Sequence, residues 1–106
     1  MRRILPQRRR AETFDLRFWN QRFTFTAGFF PDGTLGEVFI DSLKSGGDAE
    51  AIAKDAAVSL SLALQYGVPI DVIRHAVTRD ASGEAASILG AIADRLSAIP
   101  KPPGAK

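Results

Sequence analysis

Residues 13–29 read TFDLRFWNQRFTFTAGF, and the alternation of apolar and polar side chains in this stretch decides the fold. Phe14, Leu16 and Phe18 alternate with Thr13, Asp15, Arg17 and Trp19. Successive side chains of a strand point to opposite faces, so a period of two predicts a half-buried strand. Asn20-Gln21 reads as the turn. Phe23, Phe25, Ala27 and Phe29 then alternate with Arg22, Thr24, Thr26 and Gly28 as a second strand. Pro31-Asp32-Gly33 is a stronger turn signal. Proline pre-sets the first turn dihedral, aspartate bonds the following backbone, and glycine accepts positive φ. A third strand follows over 34–43. The expectation is a three-stranded antiparallel meander with one apolar face that needs a cover.

The following residues supply that cover. Lys44-Ser45-Gly46-Gly47 breaks the strand pattern, and Asp48 reads as an N-cap with Glu50 favourable in the first turn. Ile52, Ala56, Leu60, Ala63 and Leu64 fall at helical spacing, with Ala53 and Ala57 beside them. This predicts an amphipathic helix whose alanines let it approach the sheet closely. Gly67 stands where a C′ glycine ends a helix, and Pro69 suits the first turn of a second one carrying Ile70, Ile73 and Val77. Arg79 to Gly83 is a polar break. A third helix over 84–98 presents Ile88, Leu89, Ile92 and Leu96, and Pro100, Pro102, Pro103 and Gly104 end the fold. Strands first and helices afterwards is the α+β pattern, with two or three helices packed on one face of the sheet. The expected organisation is a basic arm over 1–11, one domain over 12–98 and a Pro/Gly-rich tail over 99–106.

Composition bounds the chemistry. With 106 residues, 45% hydrophobic and 25% charged, the chain has the balance of one small globular domain. It has no cysteine and one histidine, so it lacks a disulfide or thiolate–metal framework and cannot by itself run thiol or radical chemistry. No catalytic residue, metal site or cofactor is expected. No run approaches the roughly 18 apolar residues of a membrane span, and the basic start lacks the apolar core of a secretory signal. A cytoplasmic location, bacterial or phage, without membrane contact is expected. Five of the fourteen basic residues (Arg2, Arg3, Arg8, Arg9 and Arg10) fall in the first ten positions, and the rest of the chain is net acidic. Such an arm can hold nucleic acid, an acidic protein surface or the domain's own acidic face, or it can be a solvated terminus.

Two stretches are more specific. Phe30-Pro31-Asp32-Gly33-Thr34-Leu35-Gly36-Glu37-Val38-Phe39-Ile40-Asp41, followed by Lys44-Ser45-Gly46, resembles the "DG-x-x-GE-(V/I)-F-I … K-x-G" segment near the C-terminus of adenosylcobalamin-dependent (class II) ribonucleotide reductases. Ser59-Leu60 through Leu64-Gln65-Tyr66-Gly67-Val68-Pro69 resembles the "S-x-x-LQYGVP" stretch that follows it there, and Leu5-Pro6 with Arg8-Arg9-Arg10 resembles its "LP-x-RR". Together these are the marks of the TSCPD domain family, over roughly residues 5–78. The tail from Arg79 is more like small stand-alone members of phage and alphaproteobacterial type. In the large enzymes the radical cysteine and redox pair lie elsewhere in a far longer chain, and the cysteine-bearing portion of the family is missing here. The resemblance therefore implies an accessory domain without the reductase chemistry.

Candidate binding residues follow from these features. Gly33, Gly36 and Glu37 shape either a binding loop or simply a turn and a β-bulge. Lys44 precedes a helix N-terminus that can hold an anion, although the P-loop order is absent and Asp48 repels phosphate. Arg74 and Arg79 offer phosphate or partner contacts, or mark a solvated helix end. His75 has Asp71 four residues before it but no nucleophile motif. Most of the phenylalanines read as core, while Trp19 and Phe39 lie on the opposite parity and are expected on an exposed binding or dimer surface. Three functions follow: a non-catalytic module acting through a protein partner or self-association, a nucleic-acid-binding protein using the arginine arm, and a nucleotide-binding or regulatory subunit of ribonucleotide reductase. The first is preferred.

Overall fold

The computed structural model describes residues 1–43 and 47–99. Strands β1 (Ala11–Phe18) and β2 (Gln21–Phe29) form an antiparallel hairpin closed by the pair Phe18 and Gln21. Its turn is Trp19-Asn20, one residue earlier than the Asn20-Gln21 expected, with φ of 51° and 58°. Two consecutive left-handed residues match the twist of the flanking strands. A tryptophan is an uncommon choice there. It is held by edge-on contacts to Phe18 and Phe23, at centroid distances of 5.1 and 6.2 Å.

The second turn falls at Pro31-Asp32-Gly33 as expected, closed by Phe30 N–H to Thr34 O (2.8 Å) and Gly33 N–H to Phe30 O (2.9 Å). The Asp32 carboxylate accepts from both the N–H and the hydroxyl of Thr34, which holds its pKa below the usual carboxylate range. Strand β3 (Leu35–Leu43) pairs with β2, giving the order β1-β2-β3. Gly28 pairs with Glu37 while Phe29 pairs with Leu35, so Gly36 is the extra residue of a β-bulge.

Helix α1 (Asp48–Gln65) is capped by Gly47 rather than by Asp48. Asp48 and Glu50 occupy the first turn, where carboxylates complement the helix dipole. Ala53, Ala57, Leu60 and Leu64 are buried, whereas Ile52 is 51% exposed, so the buried stripe is rotated from the one expected. The reason is close approach: α1 lies near enough to β3 for the Ser61 hydroxyl to bond Val38 on both its N–H and its carbonyl, at 2.9 Å each. A face led by Ile52 would hold the helix further off.

Helix α2 (Ile70–Ala76) follows Pro69, and α3 (Ile88–Ser97) starts four residues later than the Glu84 expected. Asp80 explains the delay. Its carboxylate accepts from Ser82 N–H (2.9 Å) and Glu84 N–H (3.0 Å), and Gly83 has φ of 90°, so 79–85 closes as a turn bridged by Arg79 and Ala85. Ser87 then caps α3 by accepting from Gly90 N–H at 3.2 Å. The core joins Phe14, Phe23, Phe25, Phe29 and Val38 of the sheet to Leu60, Leu64, Ile88, Ile92 and Leu96 of α1 and α3. Ile99, the first residue of the expected 99–106 tail, packs against its edge, while 100–106 lie outside the described residues. Among the described residues no helix is long and apolar enough to cross a membrane.

Candidate functional site

The three motif segments meet at one corner, where the basic arm, the β3 bulge and the end of α1 interlock. Arg9 Nε donates to Glu37 Oε2 at 2.6 Å, and both side chains are largely covered. Gly28 makes this possible. A Cβ built on Gly28 would collide with the Glu37 carboxylate, so only glycine lets that carboxylate lie across the sheet. A Cβ on Gly36 would come within 2.7 Å of both Leu5 and Phe30.

Gln65 joins the other two segments. Its side chain is 7% exposed; its N–H donates to Gly36 O at 3.0 Å, and its carbonyl accepts from Arg2 Nε at 2.6 Å. Its main-chain carbonyl accepts Arg3 N–H at 2.7 Å. Arg3 lies over the Phe30 ring at 3.7 Å and pairs with Asp32 at 3.3 Å. Arg10 lies over the Phe29 ring at 4.1 Å and pairs with Glu12. Such cation–π contacts attract by about 0.5–2 kcal/mol. The arm is thus laid on the body, not splayed as a solvated terminus. Of its five arginines, Arg8 is the one that shows no ion pair or hydrogen bond among the described residues.

Beside this corner is a cleft of about 410 Å³ between the 31–34 turn, the junction of α1 and α2, and the end of α3. Phe29, Leu35, Leu64, Pro69, Ile70 and Leu96 make its lining mainly apolar. Its charged members are Arg3, already paired with Asp32, and Asp71. The size is that of a small-ligand or side-chain pocket. With its cation neutralised, the lining favours an apolar group over a phosphate.

Arg74 and Arg79 come together, but on Asp94 of α3. Arg79 grips both Asp94 oxygens at 2.8 Å, Arg74 Nε adds a bond at 3.0 Å, and Arg79 also donates to the carbonyls of Arg74 and Gly83. The Arg79 hydrogen bonds outweigh the effect of partial burial and hold the Asp94 pKa down to about 2, with Arg74 assisting. This cluster ties α2 and the 79–85 turn to α3. His75 Nδ1 lies 2.6 Å from the Asp71 main-chain carbonyl, not the Asp71 carboxylate, which sits 3.6 Å from Arg74.

Trp19 and Phe39 are 42% and 43% exposed, but they do not share a patch. Trp19 packs at the hairpin end against Phe23, which is fully buried beneath the helices, whereas Phe39 stands beside Thr26 on the opposite, open face. Lys44 lies outside the described residues. Sequence reasoning missed Asp94, Ser61 and the side-chain role of Gln65. A polar residue on an apolar helix stripe, as Gln65 is beside Leu64, was the available signal. A second apolar surface also escaped notice: Val58, Leu62 and Tyr66 are spaced by four along α1 and are 58%, 39% and 61% exposed.

The sequence model of the TSCPD domain matches residues 2–99. Relatives named vitamin B12-dependent ribonucleotide reductase are 38% identical over 74 residues in Agrobacterium fabrum, 36% over 74 in Bradyrhizobium diazoefficiens and 36% over 69 in Rhodopirellula baltica. These matches take in 70%, 70% and 65% of this chain but 6%, 6% and 7% of the respective relatives, so the chain spans a small fraction of their length. No solved structure matches.

Proposed function

We propose a function on the premise that this chain belongs to the TSCPD domain family: it is a non-catalytic accessory module, related to a segment of B12-dependent ribonucleotide reductases, that works through contact with protein. The observation that carries this reading is where the motif groups go. The motif residues Arg9 and Glu37 pair with each other, Gln65 holds the Gly36 carbonyl, and the neighbouring Arg2 and Arg3 dock on Gln65 and Thr34, so these motif groups serve the fold. Two apolar surfaces remain open, the cleft and the Val58, Leu62 and Tyr66 stripe. The reductase relatives supply the class of partner, since the matching segment in them is one small part of a far longer chain.

The nucleic-acid reading is weaker, because four of the five arm arginines already hold groups of the body. The nucleotide reading lacks a free cation in the cleft among the described residues. The test is to incubate the purified chain with adenosylcobalamin, a ribonucleotide and a dithiol, and separately with a B12-dependent reductase from which the homologous segment is deleted. The expected result is no deoxyribonucleotide from the chain alone and co-elution with the truncated enzyme. Turnover by the chain alone, or a tight DNA complex in place of a protein one, would overturn the reading.

A further inference from the structure

We propose that β1 is the surface through which two copies of this chain pair edge to edge into one six-stranded antiparallel sheet, an inference that rests on the accessory reading above. A sheet of order β1-β2-β3 has two edges, and the fold treats them differently. At β3, Ser61 bonds both main-chain groups of Val38 at 2.9 Å and Gln65 donates to Gly36 O at 3.0 Å, so α1 occupies the first part of that edge.

Among the described residues β1 has no such cover. Phe29 N–H donates to Arg10 O at 3.0 Å. The alternation of an antiparallel ladder then turns the main-chain groups of Glu12, Phe14, Leu16 and Phe18 toward β2. Those of Ala11, Thr13, Asp15 and Arg17 point outward, and no hydrogen bond from another described residue reaches them. An eight-residue open edge is a template for another strand unless something blocks it.

The side chains of β1 are self-complementary. Arg17 is exposed and has no ion pair among the described residues. Asp15 accepts from Arg22 and Thr24 at 3.0 Å each and retains acceptor capacity, because a carboxylate offers about four lone-pair sites. In an antiparallel pairing centred on Leu16, Asp15 of each copy stands opposite Arg17 of the other, giving two reciprocal charge pairs. On the helix-side face Phe14 then stands opposite Phe18 of the second copy, and Leu16 opposite Leu16. Leu16 and Phe18 are half-buried in the single chain and Trp19 is 42% exposed, so a second copy has apolar surface to cover. Centring on Asp15 instead would oppose two carboxylates, so charge fixes the register.

Sedimentation velocity of the full chain from low to high micromolar concentration tests this at about 0.15 M salt, where exposed charges are screened beyond roughly 8 Å. The expected result is a species of twice 11.4 kDa that Arg17→Lys retains and Arg17→Asp weakens at least tenfold. Thermal unfolding of Arg17→Asp confirms its fold, and the emission of Trp19, the single tryptophan, should shift blue as the dimer forms. A wild-type chain that stays monomeric throughout, or an Arg17→Asp chain that dimerises like wild type, would overturn the pairing. A monomer that still binds the truncated reductase overturns the pairing and leaves the accessory reading intact. Turnover by the chain alone overturns that reading whatever its mass.

Discussion

Asp94 shows how a side chain that suggests a site is used for structure. It receives three hydrogen bonds from Arg74 and Arg79, and its carboxyl is held down to about 2 in the folded chain. A depressed carboxyl pKa stabilises the fold above the unfolded value near 4, and that contribution is lost as pH falls toward 2. The side chain is 30% exposed, so the effect is discounted for solvent to about 1–2 kcal/mol. Asp94→Asn is expected to lower stability by that amount at pH 7, with the gap to wild type closing toward pH 2, as read from urea midpoints across that range. Gln65 gives a second prediction. Gln65→Leu strands the Gly36 carbonyl at a covered site and removes a partner of the exposed Arg2, and should destabilise by about 1–3 kcal/mol. Gln65→Glu restores a partner for Arg2 but sets a carboxylate against the Gly36 carbonyl, so denaturation should show no full rescue.

At the scale of elements, the stop between α1 and α2 is a Schellman motif. Gly67 has φ of 94°, its N–H reaches Leu64 O and Val68 N–H reaches Ala63 O, each at 3.0 Å. A Cβ at Gly67 meets nothing within 4 Å, so Gly67→Ala tests conformation alone and should cost about 1–2 kcal/mol in a thermal melt. Glycine signals of this kind were legible in the sequence, as were the alternation of β1 and β2 and the Pro31-Asp32-Gly33 turn. Other positions were not. The hairpin turns on Trp19 because packing against Phe18 and Phe23 overrides its turn propensity. The buried stripe of α1 follows Ala53 and Ala57 rather than Ile52, because contact with the β3 edge selects small side chains. The start of α3 was misplaced because Asp80 closes a turn using carboxylate bonds that periodicity does not register.

For the whole molecule, the arm is the test of what the family motif does. Its charge was plain in the sequence, but its destination was not, because pairing with Glu37, Gln65 and the faces of Phe29 and Phe30 depends on tertiary proximity. The same holds for the site: the motif residues were identified by their order, and only the fold shows that they bind one another. The measurement that tests this most directly is thermal unfolding of the full chain and of a chain lacking residues 1–9, each alone and with a short DNA duplex at about 0.15 M salt. Loss of the arm should lower the midpoint by about 10 °C or more, since each kcal/mol moves a domain of this size by roughly 4–8 °C. DNA should leave both midpoints in place. Equal midpoints without DNA, joined to a salt-sensitive rise with DNA that only the full chain shows, would contradict the account and return the arginines to nucleic acid.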